Sequence, residues 1–179
     1  WLTRQALCDF LDALPARVMV VLDEAYFEYV DAPGYVSGIG WLNRYPNLIV
    51  ARTFSKVYGL AGLRVGYGVS GEAVADLLNR VRPPFNVNSL ALAAATAALG
   101  DSEHLQRARD VNAGGMRQLT AGFTDLKLDF IPSVGNFICV KVGQGAEVYE
   151  QLLHEGVLVR PVANYAMPEF LRVTIGLEQ

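Results

Sequence analysis

The chain reads as an α/β protein: a parallel-rich sheet with flanking helices, followed by a smaller α+β domain. Two observations predict the first part. Arg17-Val-Met-Val-Val-Leu-Asp23 and Asn47-Leu-Ile-Val-Ala-Arg-Thr53 are continuous apolar runs that end in polar residues. Such runs mark strands buried on both faces, as parallel strands are. A third observation predicts the second part. After Phe85-Asn-Val-Asn88 the pattern changes to two helices and then four short apolar stretches broken by Gly and Pro.

The elements follow in order. Leu2 to Leu14 has helical periodicity. Between the two apolar strands, Tyr35 to Tyr45 is long enough for the crossover that parallel neighbours need, and Pro46 ends it. Arg64-Val-Gly-Tyr-Gly-Val-Ser70 is a third, glycine-broken strand. Gly71 to Val81 is helical, and Pro83-Pro84 stops it. Ser89 to Leu99 is an alanine-rich helix. Asp101 to Phe123 is a long amphipathic one, capped by Asp101 or Ser102, with Gly114-Gly115 as a weak spot. Strands are expected at Leu126–Ile131, Asn136–Val142, Val157–Pro161 and Leu171–Ile175, with a helix at Ala146–Glu155. The domain boundary falls near Val87, giving domains 1–87 and 88–179.

Composition narrows the function. A formal net charge of −3 over 179 residues, without a basic cluster, argues against a nucleic-acid partner. The longest apolar run, Leu90 to Leu99, is too short to cross a membrane. The two cysteines, Cys8 and Cys139, lie in apolar patterns and read as buried thiols of a cytoplasmic protein. The two histidines, His104 and His154, have no neighbours at ligand spacing, so no metal is expected. A hydrophobic content of 52% is high for a free-standing domain.

The run Arg52-Thr-Phe-Ser-Lys-Val-Tyr-Gly-Leu-Ala-Gly-Leu-Arg64-Val-Gly-Tyr-Gly68 carries the chemistry. It sets Ser55, Lys56 and Arg64 at the end of a buried strand, beside glycines that let backbone approach a ligand. A lysine among Phe54, Val57, Tyr58 and Leu60 can be desolvated, lose its proton and condense with a carbonyl. Read alone, it is an exposed loop lysine. Glycines 59, 62, 66 and 68 do not spell G-x-G-x-x-G and lead into a strand, which excludes a dinucleotide fingerprint. Asp23 also ends a strand, where ligands of parallel sheets bind, although read alone an Asp there is a turn cap.

Ser-Lys followed eight residues after the lysine by Arg resembles the cofactor-anchoring segment of pyridoxal-phosphate (PLP) aminotransferases of fold type I. From Val18 to Gly176 the chain resembles the histidinol-phosphate aminotransferase family within that group, in its C-terminal half only. The resemblance implies that Lys56 holds PLP as a Schiff base and then shuttles a proton. It implies that Ser55 and Arg64 take the cofactor phosphate, and that Asp23 holds the pyridine nitrogen protonated. Tyr26, in Asp-Glu-Ala-Tyr, would bond the phenolic oxygen, and Glu24 would be structural. Arg172, in Leu-Arg-Val-Thr-Ile-Gly, matches the arginine that binds the substrate carboxylate, and Arg160, in Gly-Val-Leu-Val-Arg, the one that holds the far phosphate. Either arginine is otherwise a strand-edge salt bridge. Asn136, in Ser-Val-Gly-Asn-Phe, matches a motif near the active site, and Gly-Asn is also ordinary turn chemistry.

The family's activity is transamination between L-histidinol phosphate and 2-oxoglutarate, giving imidazole-acetol phosphate and L-glutamate in histidine biosynthesis. The implied assembly is a cytoplasmic homodimer acting on small molecules. The resemblance also implies that the phosphate-cradling loop and the ring-stacking residues lie upstream of Trp1, so the chain reads as a fragment. Three alternatives remain open: an aromatic amino acid aminotransferase, a PLP decarboxylase of the phosphothreonine type, and a non-enzymatic aminotransferase-like sensor domain.

Overall fold

The computed structural model describes residues 1–177 and divides into two compact units, Trp1–Gln106 and Arg107–Gln179. In the first unit, helix α1 (Arg4–Ala13) begins at Thr3, whose hydroxyl accepts the Ala6 N–H at 3.2 Å. Strand β1 (Val20–Asp23) runs parallel to β2 (Leu48–Thr53), with Val20 opposite Leu48 and Asp23 opposite Ala51. Strand β3 (Gly66–Ser70) pairs antiparallel to β2, so β2 is central. The crossover between β1 and β2 holds only short 3-10 turns, at Phe27–Tyr29 and Gly38–Trp41. Helix α2 (Glu72–Val81) then leads to the double proline, and Asn88 caps α3 (Ser89–Gly100).

Two cores hold this unit. Leu7 and Leu11 of α1 pack with Tyr45, Leu48 and Val50 on one face of the sheet. Phe54, Val65, Ala91 and Ala95 form the second, with Tyr58, Leu60 and Val87 against it. That second core explains why the first unit runs past Val87. The small face of α3 is buried with the segment that follows β2.

Sequence reasoning expected β1 to be buried on both faces, and it is not. Val21 is 63% exposed and Asp23 is exposed too, because β1 is an edge strand packed by α1 and the Gly38–Trp41 turn on one side. Phe85, at 97% exposure, and Leu90, at 76%, are other large apolar side chains left in solvent.

Helix α4 (Ser102–Asp125) spans the division between units. Asp101 caps it through the His104 N–H at 2.8 Å. The expected weak spot at Gly114-Gly115 is continuous helix, and its glycine has a packing reason. A Cβ on Gly115 would lie 2.5 Å from Ile175 Cγ2. In the second unit four antiparallel strands are ordered β4 (Phe130–Ile131), β5 (Phe137–Lys141), β7 (Phe170–Thr174), β6 (Arg160–Pro161). Helix α5 (Gly145–His154) packs on β6 and β7, and Ile138, Val140, Val162 and Leu171 are buried.

The strand expected over Leu126–Ile131 is only two residues long. Leu126 to Leu128 close the end of α4 instead, with Lys127 left-handed at φ 56° and the Leu128 N–H returning to Phe123 O at 2.8 Å. Among the described residues no helix is long and apolar enough to cross a membrane.

Candidate active site

The carboxyl ends of β1 and β2 open onto a cavity of about 430 Å³, lined by Asp23, Arg52, Ser55, Lys56 and Arg64 with Ala25, Ala51, Thr53 and Ala61. Parallel pairing puts both strand ends on one edge, so two polar groups 33 positions apart meet. Asp23 Oδ1 accepts the Ala25 N–H at 3.0 Å, so it caps the turn and lines the cavity at once. The Lys56 amine stands 5.3 Å from the centre of the Tyr26 ring, a cation–π distance.

Arg64 has left-handed backbone, φ 52° and ψ 46°, unusual for a residue with a side chain. That geometry returns its guanidinium to Ala61 O at 2.7 Å and to Ser55 Oγ at 3.5 Å. Ser55 itself is held by its N–H on Thr53 Oγ1 at 3.0 Å. Beside them β3 approaches closely: a Cβ on Gly66 would lie 2.6 Å from Arg52 O.

A buried ion pair joins the two strand ends. Glu24, 3% exposed, accepts from Gly38 N–H at 2.6 Å, Ser37 Oγ at 2.9 Å, and Arg52 Nε and Nη2 at 3.1 and 2.8 Å. Arg52 also stacks on Phe27, 3.7 Å from the ring centre. Burial works against the Arg52 charge, but the Glu24 bonds outweigh it and leave its pKa raised. The same burial raises the Glu28 carboxyl and pushes the Tyr35 phenol up to about 12. Glu24 is therefore structural, as expected. Sequence reasoning gave Arg52 no role, and its only signal was a polar residue closing an apolar strand. Glu24→Ala should lower unfolding stability by about 3 kcal/mol or more, since it strands a buried guanidinium. Denaturant titration of the full-length protein checks this, and a loss below about 1 kcal/mol would contradict it.

In the second unit, Arg160 and Arg172 are direct partners across β6 and β7. Arg172 stacks on Phe137, with 4.9 Å from its guanidinium carbon to the ring centre, and its buried Nε has no hydrogen-bond partner. Among the described residues neither arginine forms a salt bridge. Asn136 ends the Ser133–Asn136 turn. Its carbonyl accepts the Ile175 N–H at 2.9 Å, and Ser133 Oγ takes the Gly135 N–H at 3.2 Å.

A family model described as aminotransferase class I and II matches residues 1–179. The chain belongs to this aminotransferase family. It is similar to histidinol-phosphate aminotransferase 1 of Nitrosococcus oceani, 62% identical over all of this chain and 49% of that protein. Histidinol-phosphate aminotransferase 2 of Pseudomonas fluorescens (strain Pf0-1) is also 62% identical, over 99% of this chain and 48% of its own length. The chain thus spans about half the length of the curated relatives it matches. Among solved structures, the histidinol-phosphate aminotransferase of Sinorhizobium meliloti in complex with pyridoxal-5'-phosphate superposes with a TM-score of 0.88. It is 32% identical, covering 98% of this chain and 49% of that one. The L-threonine-O-3-phosphate decarboxylase of Porphyromonas gingivalis, at 24% identity and a TM-score of 0.81, shares the fold.

The donor set around the cavity fits a phosphorylated heteroaromatic aldehyde. Ser55 and Arg64 suit a phosphate, Asp23 suits a protonated ring nitrogen, and Lys56 offers a primary amine to a carbonyl.

Proposed function

We propose that this chain is the lysine-bearing half of a PLP-dependent transaminase acting on L-histidinol phosphate and 2-oxoglutarate. The observation that carries it is the convergence of Asp23, Ser55, Lys56 and Arg64 on one cavity. The names of the 62% identical relatives support the choice of substrate. When bound, PLP supplies an electron sink for the bonds at the amine-bearing carbon. Ser55 and Arg64 would hold its phosphate, Asp23 its ring nitrogen and Tyr26 its phenolic oxygen, and Lys56 would supply the amine for its carbonyl carbon. Freed by the incoming substrate amine, Lys56 would take and return a proton at Nζ from its place in the cavity.

Arg172 binds the carboxylate of glutamate and 2-oxoglutarate, and Arg160 the phosphate of histidinol phosphate, with Asn136 close to the substrate. An unpaired buried Nε on Arg172 supports an anion as its partner. In the full-length enzyme, residues 1–87 complete a large cofactor-binding domain and 88–179 form the small one. The exposed side of β1 is then covered by the rest of the large domain. The enzyme is a C2 homodimer, the commonest closed assembly, and works in the cytoplasm with both thiols free.

The full-length protein tests this directly. It should turn over histidinol phosphate with a higher kcat/KM than any aromatic amino acid, and should release no CO2 from phosphothreonine. Preferred turnover of either competitor sinks the substrate reading. Light scattering of an active monomer would sink the dimer, and recovery from the periplasm on cell fractionation would sink the compartment.

A further inference from the structure

Residues 54–60 carry Lys56 through bends and turns rather than a repeating hydrogen-bond ladder. Few bonds fix that path. Phe54 O accepts the Leu60 N–H and Lys56 O the Gly59 N–H, each at 2.9 Å. Another bond comes from far along the chain. His104 Nε2 lies 3.1 Å from Val57 O, the carbonyl of the residue directly after Lys56. Because that partner is a carbonyl, Nε2 carries the proton and donates. Val57 is 2% exposed, so its carbonyl has little recourse to water if the bond is lost. His104 is itself fixed, half-buried in the first turn of α4 with its N–H on Asp101 Oδ1 at 2.8 Å.

We propose that His104 is a positioning residue for Lys56. Holding the Val57 carbonyl fixes the peptide that follows Lys56 by one residue, and so the direction in which the lysine side chain enters the cavity. His104 does not line that cavity, and acts through the backbone alone. Precise placement of a reacting amine needs such support from groups behind it, and a displacement near 1 Å is enough to slow a reaction. The inference rests on the reading of Lys56 as the lysine that joins PLP.

The test uses the full-length protein with PLP as the probe. His104→Leu removes the donor, while His104→Gln keeps an N–H donor at nearly the same reach. His104→Leu should lower kcat about ten-fold with KM for the amino donor within about two-fold. It should also weaken the circular dichroism of the visible cofactor band, which reports how the ring is held. His104→Gln should bring both to within about three-fold of the parent. A parental kcat and dichroism in His104→Leu, with only a lower unfolding midpoint, would make His104 merely structural and overturn the proposal. So would a His104→Gln as impaired as His104→Leu. If His104→Leu does not fold, His104→Asn replaces it, because its shorter amide falls short of Val57 O. A parental protein that binds no PLP would instead defeat the reading of Lys56, and this inference with it.

Discussion

Lys56→Ala in the full-length protein should abolish the visible absorbance band of lysine-linked PLP and lower transamination by about three orders of magnitude or more. The size follows from two functions resting on one amine. Among the described residues Lys56 is the one primary amine that lines the cavity, where Asp23, Ser55 and Arg64 supply an acid, a hydroxyl and a guanidinium. None of these can form the same bond to a carbonyl carbon, and none can shuttle a proton from the same position. The cofactor should still bind non-covalently, because its phosphate and ring contacts fall to other residues. Spectra before and after dialysis separate the two effects. A variant that keeps the band and the rate would return Lys56 to an ordinary loop lysine.

What the sequence made legible has a physical pattern. Strands β1 and β2 could be read because each is a continuous apolar run that polar residues end at the cavity edge, although only β2 is buried along its inner positions. Lys56, Ser55 and Arg64 lie within one short run, so local order alone brings them close. Contacts across long separations left no such trace. The Glu24–Arg52 pair spans 28 residues and the His104–Val57 bond 47, and neither partner's neighbours announce the other. The long helix hid its own ending too. Leu126 and Leu128 look like strand residues, but a left-handed Lys127 spends them on closing α4. The end of the first unit was obscured for a related reason. The alanines of α3 carry no sign of it in sequence, but Ala91 and Ala95 pack on Phe54 beside the lysine segment.

Arg160→Ala should separate the two half-reactions. Two arginines directly opposed on adjacent antiparallel strands repel one another, and an anion held near either relieves that repulsion. Arg160 is exposed, whereas Arg172 is half-buried against Phe137. The more exposed guanidinium suits the far phosphate of a longer substrate, and the more buried one suits the carboxylate. Losing a charge-assisted contact should weaken histidinol phosphate by about 2 kcal/mol, or roughly 30-fold in KM or Kd, with glutamate much less affected. Arg172→Ala gives the converse comparison, striking the glutamate half-reaction harder. Measuring both substrates on both variants removes any shared loss of stability from the result. If Arg160→Ala impairs glutamate and histidinol phosphate equally, Arg160 is not the phosphate anchor. The choice of a phosphorylated amino alcohol would then rest on the likeness to relatives alone, without a residue in this chain to explain it.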